Sequence, residues 1–343
     1  MNRSWPILLL LLLAAPAAVQ AQSGSGDGFD YKINASDTNT ITITSYIGNG
    51  TVVNVPTNIN GLTVTSIGAG GAYNSIFPSE NSVTSVSIPG SVTSFAEYAF
   101  YGGSLLTSLT LPESLTSIGQ ASFLDCSDLT NVTIPGSVTN LGLGAFVSCS
   151  SLTSVTIPRS VGSITNDVFE DCNRLTNVTI ANGITNILEN AFAGCLLLAS
   201  ITIPGSVTSI GEDAFSSCAS LTSIFFGSNA PTVDPSLFDY AGPVTVYYLA
   251  NTTGWSNTLA NRPTVLWNPT IQTSDGSFGV QSNQFGFNIA GTTNIPIVVE
   301  ACANLASPFW SPLESITLTN GSLYFSDPQW TNFTGRFYRI SPP

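Results

Sequence analysis

Apolar residues recur along this chain at a fixed step of 23. Ile88, Leu111, Ile134, Ile157, Ile180 and Ile203 form one column, and a proline follows each of them except Ile180, which Ala181 follows. Phe100, Phe123, Phe146, Phe169, Phe192 and Phe215 form a second column with the same step. The register persists to Val233, Phe238 and Leu249. Columns held in phase over this length mark a repeat architecture, in which each unit buries its apolar side only against its neighbours. In "LTSVTI", Leu152, Val155 and Ile157 read as the inward positions of a short strand. Thr and Val favour pleated backbone, and the proline that follows ends the strand because it has no N–H to donate. Val161 and Ile164 return to the core on the other side of the coil, and Phe169 fills the convex side. The pattern predicts a mainly β solenoid of 23-residue coils. A parallel sheet forms one face, with strands about 4.8 Å apart, and short turns or 3₁₀ pieces form the other.

The unit L-x-x-V-T-I-P-x-S-V-T-x-I-x-x-x-A-F-x-x-C resembles the BspA-type leucine-rich repeats of bacterial surface and secreted proteins, over about Gly61 to Leu249. The segment from Thr40 to Gly68 is similar to that family's N-terminal cap. The resemblance implies a binding or adhesion scaffold for proteins or polymers. The alternative is a carbohydrate-binding or carbohydrate-active extracellular protein. Between Ile67 and Ile88 the text "GAGGAYNSIFPSENS" carries about five extra residues, which predicts a bulging loop in an early coil.

Past Leu249 the register breaks at Gly254-Trp255 and Arg262-Pro263. Trp255, Leu259, Val265 and Trp267 are candidate cap residues for the open end of the solenoid, and Asn268-Pro269 reads as a hinge. The alternating runs that follow, from "FGFNIAG" to "RFYRI", predict a small antiparallel β-sandwich-like module. This segment resembles C-terminal modules that recur in secreted bacterial proteins. The expected organisation is a signal peptide at 1–21, an N-terminal β cap at 22–66, the solenoid at 67–249, a cap and hinge at 250–270, and the module at 271–343.

The first 21 residues combine one cation, Arg3, an apolar run from Ile7 to Leu13, and small residues Val19 and Ala21 before a cleavage point. That is the form of a secretory signal, with cleavage expected after Ala21 and no membrane insertion once it is removed. Charged residues make up only 8% of the chain, against a usual quarter, and the formal net charge is −13. A mean hydropathy of +0.29 favours a packed fold over disorder. The negative balance excludes nucleic acid and anionic membrane surfaces as partners, since both require basic patches. An extracellular protein or polysaccharide is the expected partner.

Cys126, Cys149, Cys172, Cys195 and Cys218 share the 23-residue step. Adjacent coils would bring their Cα atoms within disulfide range, and a secreted chain sees an oxidising compartment. Five residues cannot all pair, however, and side chains in one column point in parallel. A column of reduced, buried thiols is therefore favoured over disulfides. Cys302 lies outside the column and is expected to pack in the module.

Histidine is absent, which removes the usual general base and the commonest metal ligand. Lys32 is the only lysine, and no phosphate cradle or calcium loop motif occurs. The acid pairs Glu170-Asp171 and Glu212-Asp213 lie beside the Phe column on the turn side, where acids are usually solvated. No catalysis, cofactor or metal site is expected. The candidate ligand face is the outward side of the sheet: Ser108, Asn131, Thr133, Ser154, Thr156, Asn177, Thr179, Ser200, Thr202 and Phe225. Apart from Phe225, this face offers hydroxyls and amides without charge. Such a surface suits weak, multivalent contact with a polar polymer or protein. Trp310, Tyr324, Phe325, Trp330, Phe333 and Tyr338 gather near the C-terminus as module core or as a sugar-stacking platform.

Overall fold

The computed structural model describes residues 23–69, 73–77 and 82–343. The expected signal segment lies outside the described residues. Each coil contributes one strand to a main parallel sheet. Successive strands run Ser108–Thr110, Asn131–Thr133, Ser154–Ile157, Asn177–Ile180, Ser200–Ile203 and Ser223–Phe226. The register keeps like positions side by side, as in Asn131 beside Ser154 and Ser154 beside Asn177. A second, minor parallel sheet stacks two-residue strands such as Ser117–Ile118, Asn140–Leu141 and Ser163–Ile164. The sequence pattern anticipated short turns or 3₁₀ pieces on that side; a 3₁₀ turn does occur at Arg159–Val161, but the strands were not foreseen.

A third ladder closes each coil at the Phe turn. The N–H of Phe123 donates to Ala145 in the next coil at 2.8 Å, and that of Phe146 donates to Val168 at 2.9 Å. From Phe100 to Phe215 the rings stack between coils, with centroids 5.0 to 5.6 Å apart. That separation slightly exceeds the spacing of about 4.8 Å between neighbouring strands, so the rings slide past each other into the offset arrangement aromatic pairs prefer. All six are fully buried.

The turn reverses direction through two left-handed residues per coil. One column holds Tyr98, Ala121, Gly144, Asp167, Asn190 and Asp213, with φ between 49° and 58°. The other holds Gly102, Asp125, Ser148, Asp171, Gly194, Ser217 and Tyr240, with φ between 54° and 71°. The backbone N–H of nearly every such residue donates to the following coil, as from Asp125 to Val147 at 3.0 Å. Left-handed backbone costs a side-chain-bearing residue about 1–2 kcal/mol, and Gly, Asn and Asp accept it most readily. This explains why acids and glycines collect beside the Phe column.

Coil stacking extends past both expected boundaries. Val52–Asn54 already pairs in parallel with Ser85–Ser87, so the main sheet begins inside the segment read as a cap. The antiparallel strands Ser23–Gly26, Phe29–Asn34 and Asp37–Tyr46 close that end, the last pairing in parallel with Leu62–Ile67. In the irregular early loop, Ile76 and Phe77 are buried, and Tyr46 donates its N–H to Ile76 at 2.7 Å. At the other end, Arg262–Trp267 pairs in parallel with Thr245–Leu249 and turns back on Thr258–Leu259.

The C-terminal segment forms two antiparallel sheets. One contains Thr270–Gln272, Gly279–Gln281, Gln284–Ala290 and Ser322–Asp327; the other contains Ile295–Cys302, Ser311–Leu318 and Phe337–Ser341. Their core of Phe287, Ile289, Ile295, Ile297, Val299 and Phe325 is continuous with Phe225, Tyr247 and Trp267 of the solenoid. The segment read as a hinge is pinned instead. Trp267 donates its indole N–H to Pro296 at 2.9 Å, and the Asn268 side chain accepts from the N–H and hydroxyl of Thr292 at 2.8 and 2.7 Å. Among the described residues, no helix is long and apolar enough to cross a membrane.

Candidate functional site

The outward side of the main sheet follows from strand alternation: with Val132, Val155 and Ile201 buried, their neighbours must face out. Ser108, Asn131, Thr133, Thr156, Asn177, Thr179 and Thr202 are exposed, and Ser154 and Ser200 are half-buried. The structure therefore brings all of these onto one surface in two columns. They differ in what occupies them. Asn131 accepts from the hydroxyls of Thr153 and Ser154 at 3.3 and 3.2 Å, linking neighbouring coils. The hydroxyls of Thr133, Thr156, Thr179 and Thr202 make no hydrogen bond among the described residues.

Threonines just ahead of the strands behave differently. The hydroxyl of Thr153 donates to the carbonyl of Thr130 at 3.2 Å, and that of Thr176 to Thr153 at 3.2 Å. A parallel ladder runs ahead of the minor sheet, with Thr116 donating to Thr93 at 3.0 Å. These hydroxyls are tied to backbone of the preceding coil, so much of the chain's threonine content serves coil stacking. The outward hydroxyls of Thr133, Thr156, Thr179 and Thr202 are not tied in this way.

The C-terminal end of this surface is covered. Phe225 is only 3% exposed, stacked on Tyr247 with centroids 4.8 Å apart and meeting Trp267 edge-on at 6.1 Å. It joins the module's core and does not face solvent, which corrects its placement on the ligand face. The outward column changes from Thr202 to Phe225 and Tyr247 at the point where the module docks. The tail beyond Phe337–Ser341 crosses the face at Ser200, whose hydroxyl donates to the Pro343 carbonyl at 3.1 Å. Between tail and sheet lies a cavity of about 340 Å³ lined by Phe225, Tyr247, Tyr248, Trp267, Arg339 and Pro342. The tail thus limits the face near Ser200, and the open outward positions run from Asn54 and Ser87 through Thr179.

Cys126, Cys149, Cys172, Cys195 and Cys218 form a fully buried column of free thiols. Each sulfur lies 3.2 to 3.4 Å from the carbonyl of the Phe one coil earlier. Loss of hydration pushes the Cys126 and Cys218 thiols up to about 12, and raises Cys149, Cys172 and Cys195 as well. Such thiols stay protonated and are poor nucleophiles and metal ligands. Cys302 is also free and buried, in the module.

Of the acid pairs, Asp171 and Asp213 occupy left-handed turn positions, with φ of 54° and 51°. Partial burial, with Asp167 and Asp171 nearby, raises the Glu170 carboxyl above the usual range. Among the described residues no group of three His, Cys, Asp or Glu side chains is placed to hold a metal. In the module, Tyr338 donates to buried Asp327 at 2.9 Å, and Arg336 lies 3.1 Å from the same oxygen as an ion contact without an aligned hydrogen bond. Tyr338 and Phe325 belong to the packed interior, whereas Tyr324 and Phe333 are exposed.

One surface cluster went unread in the sequence: Tyr73, Tyr98 and Tyr101 meet on the turn side of the early coils. Its signal was Tyr98 standing in a column otherwise filled mainly by Gly, Asn and Asp.

The chain matches the BspA type leucine rich repeat region, in six copies over residues 72–196 and 142–258. Among solved structures it is similar to a leucine rich cell surface protein of Faecalibacterium prausnitzii, at 29% identity and a TM-score of 0.56, over 69% of this chain and 73% of that one. It is also similar to a leucine rich repeat protein of T. pallidum, at 26% identity and a TM-score of 0.41, over 52% of this chain and 91% of that one. A leucine-rich repeat protein of Bacteroides ovatus matches at 24% identity and a TM-score of 0.39, over 65% and 70%. No curated protein matches the chain.

Proposed function

Because this chain belongs to the BspA-type leucine-rich repeat family, we propose that it is a bacterial cell-surface binding scaffold that recognises an extracellular protein or polysaccharide along its main sheet. The F. prausnitzii relative, a cell surface protein, supports that location, as does the signal-like N-terminus. The observation that carries the reading is the row of exposed, unpartnered hydroxyls at Thr133, Thr156 and Thr179, one per coil. Each offers a donor and an acceptor at the strand spacing, so a repetitive polar ligand gains avidity from several weak contacts. The docked module sets the C-terminal limit of the contact surface. The reading is of a binder: histidine is absent, and Asp171 and Asp213 hold turn positions the backbone needs.

The test is binding of the full chain to a glycan array and to a panel of envelope and extracellular matrix proteins. Lysine at Thr133, Thr156 and Thr179 should weaken the captured interaction stepwise. A ligand held equally well by the triple variant would defeat the assignment of this face.

A further inference from the structure

On the turn side of the solenoid, Tyr73, Tyr98 and Tyr101 form a closed cluster. Ring centroids are 5.1 Å apart for Tyr73 and Tyr98, 5.4 Å for Tyr73 and Tyr101, and 5.9 Å for Tyr98 and Tyr101. Tyr73 is 64% exposed and the other two are half-buried, so the cluster lies on the surface. Tyr73 and Tyr98 are both left-handed, at φ 62° and 58°. The fold requires that backbone at position 98, where later coils use Ala121, Gly144, Asp167, Asn190 and Asp213. It does not require a tyrosine, which is among the residues least suited to it. Strain kept at a surface position points to a use for the side chain.

The surroundings indicate which use. No lysine or arginine occurs between Lys32 and Arg159, and the charged residues of the sequence from Tyr73 to Asp128 are Glu80, Glu97, Glu113, Asp125 and Asp128. Aromatic faces carry negative potential, so rings and acids both favour a cation. Tyrosine clusters also supply the anchors that the main-sheet face lacks. We propose that the Tyr73, Tyr98 and Tyr101 cluster binds an arginine-bearing segment of a protein partner, with guanidinium stacked on phenol. The site lies away from the main-sheet columns and does not rest on their assignment.

The probe is a fluorescein-labelled oligoarginine peptide titrated into the full chain, followed by anisotropy, with a neutral oligosaccharide titrated in parallel. Tyr98→Asn keeps a residue that tolerates the left-handed backbone, and thermal melting checks that it folds. Its affinity for the peptide should fall about threefold, and that of Tyr98→Asn with Tyr101→Asn about tenfold. Tyr98→Phe should bind like the parent, since the ring and not the hydroxyl carries the contact. Lysine at Thr156 should leave this binding unchanged. Unchanged peptide affinity in the folded double variant would overturn the proposal. So would a cluster-dependent preference for the neutral sugar.

Discussion

The sulfur of Cys149 lies 3.2 Å from the carbonyl oxygen of Phe123, one coil earlier, and the same contact recurs along the thiol column. Each thiol thereby gives a weak donor to backbone at the Phe turn while filling space no water reaches. The column is part of the packing between coils.

Iodoacetamide should leave Cys126, Cys149, Cys172, Cys195 and Cys218 unlabelled in the native protein and label them all after denaturation, as read by intact mass. Rapid native labelling, or a mass showing disulfides, would contradict the packing role. Cys149→Ala should destabilise the fold by about 1–2 kcal/mol in urea unfolding.

The same thiols predict an alkaline limit. Burial raises their pKa, so the folded state holds protons that the unfolded chain releases near the ordinary thiol value. Stability is complete below about pH 9 and falls as pH rises towards the folded value of about 12. Melting temperature followed across that window should drop, and Cys149→Ala should drop less than the parent.

Glu170 works at lower pH. Its raised pKa means that protonation favours the folded state, and that its charge at neutral pH opposes folding. Glu170→Gln should melt above the parent at pH 7. The difference should vanish as pH falls below the usual carboxylate range. Equal melting at pH 7 would show that the site is too well solvated to matter.

Two glycines separate packing from composition. A Cβ on Gly142 would collide with the backbone of Gly119 and Gln120 in the preceding coil, whereas one on Gly136 meets nothing within 4 Å. Gly142→Ala should cost about 1–3 kcal/mol, the range for overpacking, and Gly136→Ala should be near neutral. Thr165 stands one coil on from Gly142, so local adjustment is available and the variant should still fold.

Phe225→Ala should loosen the module. The ring is buried between Tyr247, Trp267 and the module core, and its removal should cost about 3–5 kcal/mol. Limited proteolysis should then cut near Asn268 in the variant faster than in the parent. A module that stays equally protected would mean that Trp267 and the Asn268 contacts hold it alone.

The sequence by itself determined the columns that repeat, though not the two-residue strands of the minor sheet. Ile157 and Phe169 recur one coil apart, and a residue whose surroundings are its own copies above and below can be assigned from the period. The inward columns, the Phe stack and the outward row from Ser108 to Thr202 follow from that nearest-neighbour rule. Tertiary structure decided what the period does not carry. Ser200 meets Pro343 across 143 residues, and Phe225 is covered by strands from beyond Trp267. Tyr73 reaches Tyr98 and Tyr101 from a loop that breaks the repeat. Such contacts depend on where the chain folds back on itself, and no column of like residues records that.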